Sequence, residues 1–232
     1  MSKFLIVIFA ISMCFSACRK DVIAPVEACI IQTGNPDHQS YSASDFSATN
    51  YSGKHCGLLP LSSKHYWVYL DSIFDNGSFV EAKYDTLRFT KTYRTETDGL
   101  TWWEANKFVG LPSKCYANDS SIFGLDYRLF TSNTILDARK EIYQFNQDSL
   151  HYLTSFGDEA AIGRALHCNF ESKVATFTNC LFFEKYARMY RRDQVYLQPG
   201  LGVVKYIREE APLGSLEIQT QQISTLVSFN IQ

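Results

Sequence analysis

From Leu58 to the last residues, apolar and polar side chains alternate with a two-residue period, broken at short intervals by turn residues. Successive side chains of a strand point to opposite faces, so this pattern describes half-buried β-strands and leaves little room for helices. His65-Tyr66-Trp67-Val68-Tyr69-Leu70-Asp71-Ser72-Ile73 reads as the first strand. It stops at Asp75-Asn76-Gly77, whose Asn-Gly pair suits a two-residue hairpin turn. Phe79 to Lys83 is the expected return strand, and Asp85 to Tyr93 with Leu100 to Ala105 forms a second hairpin around Thr97-Asp98-Gly99. Ser121 to Phe130, Ile142 to Phe145, His151 to Phe156, Ala165 to Phe170, Val203 to Ile207 and Ile223 to Ile231 are further strands. Thr176 to Arg191 satisfies helical and strand spacing alike; its run of Thr176, Phe177 and Thr178 favours a long strand that bends. The expected fold is therefore mainly β: a curved antiparallel sheet, a sandwich or partly open barrel, with few short helices.

The N-terminal residues follow a different logic. Lys3 precedes an apolar run, Phe4 to Ile11, that is too short to span a bilayer, and Phe15-Ser16-Ala17-Cys18 follows as a cleavage site. Bulky Phe15 fits poorly where ordinary signal peptidase wants a small residue. A lipoprotein site tolerates an apolar side chain there and requires the cysteine. Residues 1–17 thus read as a lipoprotein signal peptide, Cys18 as the lipidated N-terminus, 18–56 as a polar tether and 57–232 as the antiparallel β domain. Each buried methylene contributes about 0.8 kcal/mol, so a palmitate-like set of acyl chains holds a protein permanently. Arg19, not Asp, follows the cysteine. That selects the outer membrane, with the domain in the periplasm or at the surface.

Seven cysteines are present. Export implies an oxidising compartment. The short separation of Cys168 and Cys180 suits a bridge near a hairpin, and a bridge between Cys29 and Cys56 would close a polar stretch with little core of its own. Cys115 is then left as a buried thiol.

Catalytic signals are faint. The sequence contains no Gly-x-Ser-x-Gly, His-Glu-x-x-His or Walker-type run. His55-Cys56 and His167-Cys168 are adjacent pairs, whose side chains diverge on an extended backbone and cannot act as base and nucleophile. The net charge is −2 with basic residues scattered, which disfavours nucleic acid as a partner. No cofactor or metal is expected. Trp102 and Trp103 must face opposite ways on a strand, so one of them, with Tyr93 or Tyr69, could stack on a sugar or pack against a protein. The function expected is a lipid-anchored binding or assembly module with the membrane, and a glycan or envelope protein, as partners. Two alternatives stay open: a hydrolase whose site is assembled from distant residues, and a barrel that binds a hydrophobic ligand.

Leu59-Pro60-Leu61 followed by Tyr66-Trp67-Val68-Tyr69, and Pro199-Gly200-Leu201-Gly202-Val203-Val204-Lys205-Tyr206, resemble the opening and closing strands of small outer-membrane lipoproteins of the Bacteroidota. The resemblance implies a curved antiparallel sheet and brings no activity or site residue with it. Ser62-Ser63-Lys64-His65 stands where those relatives often carry a glycine before the first strand.

Overall fold

The computed structural model describes residues 30–31, 41–42, 57–94, 99–118, 121–125, 139–144, 150–153, 159–187 and 190–231. Within them every regular element is a strand. β1 (Ile30–Ile31) and β2 (Tyr41–Ser42) form a separate two-stranded pair. The others are β3 (Tyr66–Asp75), β4 (Ser78–Arg94), β5 (Thr101–Ala105), β6 (Lys114–Ala117), β7 (Ser121–Leu125), β8 (Arg139–Gln144), β9 (Leu150–Leu153), β10 (Glu159–Glu171), β11 (Thr176–Ala187), β12 (Arg191–Gln198), β13 (Gly202–Glu210) and β14 (Gln219–Asn230). They make one 12-stranded antiparallel sheet in the order β8-β7-β6-β5-β4-β3-β14-β13-β12-β11-β10-β9. Two meanders are joined where the first strand, β3, pairs with the last, β14. The sheet curls until β8 lies beside β10, so it is nearly closed, and β8 and β9, the two ends of the hydrogen-bonded order, are neighbours in sequence.

Alternation decides which side is inside. In β3, Trp67, Tyr69 and Asp71 are buried on the concave face while Tyr66, Val68 and Leu70 are partly open. Leu87 and Phe89 of β4, Val195 and Leu197 of β12, Tyr206 of β13 and Leu226 of β14 join them in one core. The expected turn at Asn76-Gly77 forms with both residues at positive φ, 47° and 76°, the geometry whose twist matches paired strands. Phe79 to Lys83 and Asp85 to Tyr93, expected as separate strands, are one strand, because Tyr84-Asp85 simply continues the pairing with β3. Thr176 to Arg191 is extended, yet it ends at Ala187. Arg191 begins β12, a strand whose opening Arg-Arg-Asp-Gln looks like a turn until its ion pairs are seen. The expected tether, apart from β1 and β2, falls outside the described residues.

The chain enters the domain beside the β12–β13 turn, where the Gly200 amide donates to the Gly57 carbonyl at 2.7 Å. The Trp67 indole N–H is satisfied there by the Leu201 carbonyl (2.7 Å), and the Tyr69 hydroxyl by that of Val203 (2.7 Å). These bonds let two large aromatic side chains be buried without an orphaned polar atom.

The connection from β5 to β6, residues 106–113, turns into the core at Val109 to Leu111. Val109 and Leu111 are fully buried in the core, and the Tyr143 hydroxyl of β8 donates to the Gly110 carbonyl at 2.6 Å. Gly110 has φ +82°, and a Cβ there would stand 2.5 Å from Val195 Cγ2 and 3.0 Å from Tyr206 Cδ2. Only a glycine lets the segment lie this close to β12 and β13. Gly110→Ala is expected to destabilise the domain by roughly 2 kcal/mol or more through strain and overpacking, read as a lowered urea midpoint at unchanged slope.

Candidate functional site

Two regions gather chemistry-bearing side chains. The first is the outer face of β4, β5, β6 and β7. Tyr93 pairs directly with Trp102, and Tyr116 with Phe123. Trp102 and Tyr116 ring centroids lie 5.9 Å apart and those of Tyr116 and Phe123 5.8 Å, so an aromatic band crosses four strands. Trp103, one residue on, faces the other way and packs against the main core. Tyr69, considered as a companion of the outward Trp, is on the concave face.

Within this band exposure differs sharply. Trp102 is 1% exposed and its indole nitrogen has no hydrogen-bond partner among the described residues, whereas Tyr93 is 41% exposed. A sugar face can therefore reach the Tyr93 ring but not that of Trp102. The Tyr93 hydroxyl donates to Glu104 Oε2, and the Lys114 ammonium stands 4.8 Å from the Tyr93 centroid. The bond from Tyr93 holds the Glu104 carboxyl below its usual range; desolvation opposes this, and the charges of Lys91 and Lys114 reinforce it. The result is a fixed aromatic ring flanked by an acid and a base, a surface suited to polar, ring-bearing partners.

The second region is the polar end of the concave face. Asp71, Ser224 and Tyr206 occupy one row across β3, β14 and β13, and all three are buried. Lys107, on the inserted segment, reaches down to Asp71 Oδ2 and also to Asp85 Oδ2 at 3.0 Å; the Lys107 and Asp71 side chains are only 6% and 2% exposed. Phe108 packs edge-on against Tyr206 at 5.5 Å, with the Arg191 guanidinium 5.6 Å from its ring. Arg191 pairs with Asp193 at 2.8 Å, and the Tyr206 hydroxyl donates to Asp193 Oδ1 at 2.8 Å. Burial and the neighbouring carboxylate push the Tyr206 phenol up, so it remains a donor at neutral pH. Asp71 Oδ1 is buried without a partner among the described residues.

Sequence reading missed this cluster. Lys107 sits in Asn106-Lys107-Phe108-Val109-Gly110-Leu111, and the available signal was that a surface connection should not be this apolar.

Among the remaining candidates, His65 donates its Nδ1–H to the Pro60 carbonyl (2.8 Å) and stands edge-on to Trp67. Burial pushes the Cys115 thiol up to about 12, which keeps it protonated and a poor nucleophile. The β10–β11 register sets Cys168 directly across from Cys180, whose Sγ lies 3.5 Å from Gln198 Oε1. Cys18, Cys29 and Cys56 lie outside the described residues. Among the described residues no group of three or more His, Cys, Asp or Glu side chains is placed to hold a metal ion.

No protein-family model and no curated protein matches the chain. Two solved structures do. One is described as an exported protein with a YmcC-like fold from Bacteroides fragilis, at 10% identity and a TM-score of 0.37, covering 76% of this chain and 100% of its own. The other is described as a lipoprotein from Parabacteroides distasonis, at 9% identity and a TM-score of 0.36, with the same coverage.

Replacing Lys107 by Met would strand Asp71 as an uncompensated buried charge, at a cost of about 3–5 kcal/mol in urea unfolding. The double variant with Asp71→Leu should recover much of that loss. Desolvation raises the Asp85 carboxyl, but its bonds from Lys107 and the Thr86 amide and the charges of Lys107 and Lys83 bring it below its ordinary value of 3.8. A depressed carboxyl gives stability that is complete above the unfolded value and is lost as pH falls through the folded one. Acid titration of Asp85→Asn should accordingly show a shallower loss of stability below pH 3.8 than the parent chain.

Proposed function

We infer that this chain is an exported lipoprotein, anchored through Cys18 to the outer membrane, whose β domain works as a binding or assembly module. The lipobox Phe15-Ser16-Ala17-Cys18 supports the anchor. The observation that carries the binding role is the Tyr93 patch, an open aromatic ring held between Glu104 and Lys114 on the convex side of the sheet. Its chemistry fits a glycan, whose apolar ring face stacks on Tyr93 while hydroxyls reach the flanking charges.

The hydrolase alternative draws little support. His65 is engaged with the Pro60 carbonyl, Cys115 is protonated, and Asp71, Asp85, Asp193 and Glu209 are each paired with Lys or Arg. Binding of a hydrophobic ligand competes with the inserted Val109 and Leu111 for the concave side.

Two experiments test the reading. Cys18→Ala should shift the chain out of the lipid-modified membrane fraction, and unchanged acylation of that variant by mass spectrometry would refute the anchor. Tyr93→Ala should reduce retention of the chain on immobilised envelope glycans by tenfold or more, with the unfolding midpoint unchanged; equal retention would remove this patch from the function. The placement of Cys168 opposite Cys180 also fits an oxidising envelope. Alkylation of the natively exported chain under denaturing, non-reducing conditions should leave both unlabelled, whereas labelling of both would exclude the bridge.

A further inference from the structure

Among the described residues, the first half of β4 is an open sheet edge. β4 pairs with β3 from Ser78 to Arg88 with one bulge at Val80, but β5 joins it only from Phe89 onward. Every residue from Ser78 to Asp85 is exposed, including Phe79 at 61%, Val80 at 58% and Tyr84 at 70%. Long exposed edges of this kind are templates for another strand.

The edge is closed at one end by a specific device. Asn106 accepts from the Arg88 amide at 2.7 Å, donates its own amide to the Arg88 carbonyl at 3.1 Å, and gives its side-chain N–H to the Thr86 carbonyl at 3.1 Å. The Thr86 amide is taken by Asp85 Oδ1 at 2.8 Å. These bonds show that the backbone groups of Thr86 and Arg88 point away from β3. Peptide groups repeat their direction every second residue in an antiparallel pair, so those of Tyr84 and Ala82 point outward too. Val80 is the extra residue of a bulge against β3, so the regularly alternating part of the open stretch runs from Glu81 to the Asn106 cap at Thr86.

We propose that this edge pairs with the same edge of a second copy of the chain, antiparallel about a two-fold axis at Ala82. In that register Ala82 bonds to Ala82 of the second copy, Glu81 lies opposite Lys83 in both directions, and Tyr84 meets the bulge at Val80. Glu81 and Lys83 are on one face, 56% and 59% exposed and 3.8 Å apart within the strand. The pairs between copies fall at the non-hydrogen-bonded positions, where side chains approach most closely. An axis at Lys83 sets lysine against lysine and Glu81 against Asp85, an axis at Glu81 sets glutamate against glutamate, and an axis at Tyr84, though it opposes Lys83 to Asp85, needs the Thr86 backbone groups that Asp85 and Asn106 already hold. The charges that would repel a random strand thus select this one. The turn of the second copy ends where Asn106 begins, so the pairing closes as a dimer.

The test is cross-linking in cells producing the full chain, with the parent chain as background. Ala82→Cys should give a disulfide-linked dimer on mild oxidation, because the axis places the two Cα atoms about 5.5 Å apart. Ser78→Cys, at the end of the stretch, should not. On the Ala82→Cys background, Glu81→Lys or Lys83→Glu should cut the dimer yield roughly tenfold or more, and the two together should restore it. Ala82→Pro, whose lost N–H is not one that bonds β3, should leave the purified chain folded by circular dichroism and monomeric by light scattering. Equal yields from positions 82 and 78, failure of the charge swap to restore pairing, or capture of a different protein in place of a second copy would overturn the proposal.

Discussion

The structure depends on what fills the concave side of a sheet that almost closes. A curled sheet of this width cannot be packed by its own inward side chains alone, and the β5–β6 connection supplies the missing volume with Val109 and Leu111. Placing a loop in a core is costly because its peptide groups and any charge it carries must be satisfied. Here the Gly110 carbonyl is taken by Tyr143 from the far end of the sheet, and Lys107 is neutralised by Asp71 and Asp85. The same segment thereby ties β3 and β4 to β8, β12 and β13, and the curl and the insertion sustain each other.

The polar end of the concavity follows from that arrangement. Once Lys107 and Phe108 lie over β3 and β13, the row beneath them needs polar partners, and Asp71, Ser224, Tyr206 and Asp193 provide them in order across the sheet. Arg191 completes the set by pairing with Asp193 while facing the Phe108 ring. Apolar burial at the β12–β13 turn thus gives way to ion pairs at the opposite end.

Local pattern made much of this legible. The alternation in Tyr66 to Asp71 assigns faces correctly, and Asn76-Gly77 marks its turn because φ above zero is chemically specific. Divergence of Trp102 and Trp103 also follows from strand geometry. What escaped were features set by distant partners. β12 opens with Arg-Arg-Asp-Gln, polar because those side chains answer Glu209, Glu210 and Asp193. β6 is only four residues long, with Cys115 as its sole fully buried side chain, too little for a period to show. The depth at which Trp102 is covered, and the insertion of Lys107, belong to tertiary packing that no window of sequence contains.

The seam between β3 and β14 has a consequence for biogenesis. Each meander can zip strand by strand as the chain emerges, but the two are united only by pairing Trp67 with Phe229 and Asp71 with Ser224, residues more than 150 positions apart. The centre of the sheet therefore exists only once β14 has been made. Until then β3 offers a bare flank, and premature termination anywhere within β14 would yield two half-sheets with no common hinge.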